Sequence, residues 1–178
     1  MLRILIAGLL GAIAMYVWSS IAHVATPLGT LGVSTLPSES VTVDNLASSI
    51  GDTGGLFLFP MNMNASASVA TAPGGLLVYN PKSPTGMQPS NLILEFATEL
   101  VESILAAWLL AQTALAGFVQ RVGFVTVIGV IGAIVTNVPY WNWYAFPLTF
   151  TLAQMFVTIV AYLAAGVAIA AYLRPKPA

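Results

Sequence analysis

Four long apolar stretches constrain this chain more than any other feature: Ile4–Ala22, roughly Leu92–Val119, Val122–Val138 and Leu148–Leu173. A bilayer core is about 30 Å thick, and a helix needs about 20 apolar residues to cross it, with a range of about 17 to 25. All four are long enough. Only 6% of the residues are charged and 58% are apolar, whereas soluble domains carry about 25% charged residues. That charge cannot cover a water-facing surface, so lipid has to face most of the chain. The sequence predicts an all-α membrane protein, a four-transmembrane-helix bundle. The first stretch has small residues at Ser20-Ile21-Ala22, where a signal peptidase would look. Its apolar run is too long for a signal peptide, so it is expected to stay as a span.

Basic residues set the direction of a membrane protein, because cytoplasmic loops hold an excess of Lys and Arg. Arg3 precedes the first span, Arg121 lies between the second and third, and Arg174 and Lys176 follow the fourth. Only Lys82 lies elsewhere. The predicted location is therefore the cell inner membrane, multi-pass, with both termini cytoplasmic. Residues 1–25 then form the first transmembrane helix, 26–91 an extracytoplasmic loop domain, and 92–178 the other three helices.

The loop domain reads as small and α+β. Val43, Leu46, Ala47 and Ile50 repeat at the spacing of one helix face, and Gly51 is placed to stop that helix. Gly55–Pro60 and Gly75–Pro81 read as two short strands bracketed by Gly and Pro. Both strands are apolar on both faces. A lone hairpin in water would not tolerate that, so the loop helix, the bilayer, a second copy or another protein is expected to cover them.

Counting about 20 residues from each cytoplasmic anchor brings His23, Glu102, Asn137 and Gln154 to the outer boundary. Glu95, Glu99 and Glu102 fall on one helical face, within about 60°. Ser19 and Ser20 lie one turn below His23. One assignment for this polar layer is a metal or proton site, since one imidazole and two or three carboxylates suffice for a divalent cation. The metal candidates are His23, Glu95, Glu99 and Glu102. The plainer assignment makes Glu95 a helix N-terminal acid and the other two hydrated interface residues. Glu102, the deepest acid by this count, is the strongest exception, because an ionisable group at membrane depth is a functional candidate.

Pro139–Pro147, expected as a rigid turn between the last two spans, is dense in aromatic residues. Tyr140, Trp141, Trp143, Tyr144 and Phe146 suit the headgroup level, or an interface for a ligand, lipid or neighbouring subunit. Met61 and Met63 could offer thioether sulfur to copper(I), but no His or Cys stands near them. Small residues line the first, third and fourth spans, among them Gly8, Gly11, Gly129, Gly132, Ala165 and Gly166. Such residues let helices approach closely, within the bundle or between subunits.

Several function classes drop out. The chain has no cysteine, which excludes disulfides, thiolate-bound metals and iron–sulfur clusters. It has a single histidine, so bis-histidine haem within one chain is excluded. A net charge of −1 argues against nucleic acid as a partner. No glycine-rich phosphate loop, nucleophile elbow or zinc-protease helix occurs, and no catalytic residues are assigned. The inner halves of the spans are too apolar for a solute channel. The segment Trp18–His23, the two strands, and Tyr140–Tyr144 with Phe146-Pro147 together resemble a family of small, uncharacterised four-helix bacterial inner-membrane proteins. That resemblance implies a bacterial origin and this topology, with no activity attached. The expected function is a non-enzymatic accessory, assembly or structural subunit of a membrane complex. Its partners would be the lipid bilayer and other membrane protein subunits or further copies of itself. The alternative is a membrane-embedded metal or cation site, an enzyme or transport element, built from His23 and the three glutamates.

Overall fold

The computed structural model of the protein describes residues 1–59, 73–83 and 88–174. Met61, Met63 and Lys176 lie outside the described residues. The chain is mostly helical. Helix α1 spans Leu2–Ser20 and continues through one wider turn, Ile21–Ala25. A short turn at Pro27–Gly29 and helix α2, Glu39–Ile50, follow. Strands β1, Gly55–Phe59, and β2, Gly75–Tyr79, pair antiparallel with Phe57 opposite Leu77. Helices α3, Pro89–Ala111, α4, Phe118–Tyr144, and α5, Leu148–Tyr172, complete the order.

Among the described residues, three helical segments are long and apolar enough to cross a membrane: Leu2–Ala25, Phe118–Tyr144 and Leu148–Tyr172. Helix α3 has similar length but carries Glu95, Glu99 and Glu102. Helix α1 packs against α3 on one side and α5 on the other, and α5 packs against α4. Cross-contacts give the sense of each pair. Tyr16 meets Phe96, while Gly8, nearer the start of α1, lies against Ile104, further along α3. Those helices are therefore antiparallel. Gly11 meets Ile169 and Trp18 Nε1 donates to the Val157 carbonyl at 2.9 Å, so α1 and α5 are antiparallel too. The small residues turn out to make the bundle itself. A Cβ on Gly8 would sit 2.5 Å from Ile104, and one on Gly166 would press on Val122 and Val125. Ala7, Ala106, Ala107, Ala161, Ala165 and Ile169 form the core between these faces. Gly132 is the exception, with nothing near its Cβ position.

Two expected boundaries move. The apolar run to Val119 is not one helix, because α3 stops at Ala111. The amides of Gln112 and Thr113 tighten onto the carbonyls of Leu109 and Leu110, and the Thr113 hydroxyl donates to Leu110 at 2.8 Å. These bonds satisfy carbonyls the helix would otherwise leave bare. The second correction concerns the aromatic turn. Helix α4 runs straight through Pro139 to Tyr144, and only Ala145-Phe146-Pro147 links it to α5. Proline removes one amide donor, a loss that long apolar helices absorb locally. Ala145, with φ 54°, reverses the chain.

In the loop, α2 ends as its spacing suggests, with the Gly51 amide donating to Ala47 at 2.8 Å. It does not cover the hairpin. Leu56 remains 67% exposed and Val78 75%.

Candidate functional site

Glutamates four and three residues apart share a helix face, and α3 turns that face towards α1. A cavity of about 310 Å³ opens there, lined by Glu95, Glu99 and Glu102 from α3, Ser19 and His23 from the α1 segment, Thr136 from α4, and Gln154, Thr158 and Tyr162 from α5. Residues from all four long helices thus meet in one polar space. Asn137 does not line it; its amide donates to the Ala133 carbonyl and the Thr136 hydroxyl of its own helix.

The three acids occupy different surroundings. Glu95 is exposed and Glu102 half-buried, whereas Glu99 is 5% exposed. The Ser19 hydroxyl donates to Glu99 Oε1 at 2.7 Å. The other oxygen, Oε2, is buried without a hydrogen-bond partner. Glu102 Oε2 accepts from the Tyr162 hydroxyl at 3.2 Å. A buried carboxylate oxygen left bare costs about 1–3 kcal/mol or more, so Glu99 Oε2 is an unsettled point of the bundle.

His23 sits in the wider turn that ends the first helix. Its Nδ1 lies 2.9 Å from the Ser19 carbonyl. A carbonyl only accepts, so this ring nitrogen carries the proton. Ser19 therefore touches both His23 and Glu99, through its backbone and its hydroxyl. The turn Pro27–Gly29 folds back over the imidazole, and a Cβ on Gly29 would stand 3.0 Å from His23 Cδ2. The expected metal candidates do share one cavity. Among the described residues, however, no three His, Asp or Glu side chains are grouped as metal donors.

The aromatic candidates lie apart from this cavity. The rings of Tyr140 and Tyr144 are 5.8 Å apart, and those of Tyr140 and Phe146 are 5.2 Å apart. Phe146 and Phe150 border a shallow hollow with Gly32 and Val33, which ties the start of the loop to α5. Tyr140, Trp141 and Trp143 remain exposed.

Sequence reasoning missed Tyr162, Thr136 and Thr158. Single hydroxyl residues in apolar helices carry no face of their own, and only the helix neighbours reveal them. No protein-family model, curated protein or solved structure matches this chain.

Proposed function

We propose that this protein is a four-span membrane bundle whose glutamate-lined cavity binds a cation entering from the extracytoplasmic side. The observation that carries this is buried Glu99, one oxygen unpartnered, lining a cavity with two further carboxylates. Helix α3, with 23 residues, is about 34 Å long at 1.5 Å per residue, which supports it as the fourth span beside the three apolar ones. Because it ends at Ala111, Glu102 lies about 14 Å and Glu99 about 18 Å from its cytoplasmic end. That is deeper than the sequence count suggested, and ionisable groups at such depth mark ion pathways and ligand sites. The lining is oxygen-rich, which suits hard cations. Carboxylate, hydroxyl and amide groups spread over four helices suit a hydrated ion or a small ammonium compound.

The test is saturable thermal stabilisation of the detergent-purified full chain by Na⁺, Mg²⁺, Ca²⁺ or methylammonium. At least one should raise the unfolding midpoint, and Glu99→Gln should weaken that response tenfold or more, since hydrogen bonds to charged groups contribute about 1.5–3 kcal/mol. No response to any of the four, or an equal response in the variant, overturns the assignment.

A second possibility is an accessory, assembly or structural subunit in the bacterial inner membrane. The exposed Leu56, Leu58, Phe59 and Val78 of the hairpin favour it, because among the described residues α2 leaves these side chains bare. Mild-detergent purification from the native membrane, followed by mass spectrometry of co-purifying proteins, tests it. A stoichiometric partner supports it, and recovery of this chain alone counts against it.

A further inference from the structure

The other end of the bundle holds a site of opposite charge. Arg3 of α1, Arg121 of α4 and Arg174, just past α5, line one cavity of about 430 Å³, walled also by Leu110, Leu115 and Leu173. Arg121 is 6% exposed, and its Nε is buried without a hydrogen-bond partner. No acidic side chain can answer these charges, because all six acids lie between Glu39 and Glu102, in the loop or on the glutamate face. A buried charge is costly unless it is paired. Two of the arginines also sit at the wrong end of a helix. Arg3 and Arg121 lie in or just beyond the first turns of α1 and α4, where the helix dipole is positive and repels a cation. An anion there would be attracted by the guanidinium groups and by the helix ends together.

We propose that this cavity, framed by Arg3, Arg121 and Arg174, binds a phosphate-bearing anion, either the headgroup phosphate of an acidic lipid or a free phosphate. Guanidinium groups bind phosphate oxygens through paired N–H donors. At about 30 Å³ per water, the cavity has room for a phosphate and its hydration. Apolar residues Leu110, Leu115 and Leu173 complete the wall and suit the start of a lipid's acyl chains. The lipid source rests on the membrane assignment made above; the anion site itself does not, and it is independent of the glutamate cavity.

The experiment uses the full chain in an uncharged detergent, with native mass spectrometry and thermal unfolding as readouts. The probes are phosphatidylglycerol, phosphatidylcholine and inorganic phosphate. Phosphatidylglycerol is expected to bind in a one-to-one complex and raise the midpoint, and R121Q should weaken binding tenfold or more. Response to phosphatidylglycerol alone assigns the lipid source, and a matching response to inorganic phosphate assigns the free anion. Should R121Q not fold, the double variant R3Q/R174Q carries the test, since both side chains are exposed; it should show the same weakening. If neither phosphatidylglycerol nor phosphate binds, or if the charge-removing variants bind as well as the parent, the proposal is wrong.

Discussion

Ser19 is the residue on which the glutamate cavity turns. Its hydroxyl satisfies Glu99 Oε1 and its carbonyl holds the His23 ring. Ser19→Ala removes only the hydroxyl bond. It should lower stability by about 1–3 kcal/mol, measured by denaturant titration in detergent micelles. In a Glu99→Gln background the cost should fall by at least half, because the charged acceptor is gone and coupled pairs are non-additive. An equal loss in both backgrounds would mean that the hydroxyl acts elsewhere. The spacing of Glu95, Glu99 and Glu102 already placed them on one face. What spacing could not say is which of them is buried. Glu99 is, because α1 lies over it; Glu95 clears the packed surface.

At the scale of elements, close approach decides which helices are neighbours. Gly8 and Gly132 look alike in the sequence, each a glycine in a long apolar helix. Gly8 abuts Ile104 with no room for a methyl group, whereas Gly132 faces open space beside the polar cavity. Gly8→Ala should therefore destabilise the bundle by about 1–3 kcal/mol through overpacking. Gly132→Ala should be neutral or stabilising by up to about 1 kcal/mol, from helix propensity. Unfolding midpoints of the two variants check this, and equal losses would refute the packing arrangement. The α2 helix and both strands were legible because Gly and Pro punctuate them and their spacing is regular. The end of α3 was not: Thr113 stops the helix through hydrogen bonds, while the residues after it are as apolar as those before.

At the scale of the whole molecule, charge is sorted by end. Arg3, Arg121 and Arg174 gather around one cavity and the glutamates around another, as expected if the basic end faces the cytoplasm. A reporter fused after Ala178 should then read cytoplasmic, and one inserted near Ser68 should read extracytoplasmic; the reverse would invert the direction from which a cation reaches Glu99. The sequence by itself determined that long helices of this chain are apolar enough to cross a membrane, since 58% of its residues are apolar and only 6% charged. It also determined the glutamate face and the arginine asymmetry, which follow from helical period and position along the chain. Only the tertiary structure decided that α1 lies between α3 and α5, that Tyr162 and Thr136 join the acids, and that Arg121 is buried without an acid to meet it. Those facts depend on which small-residue faces interlock, and a repeating pattern of glycine and alanine fits several partners until the helices have packed.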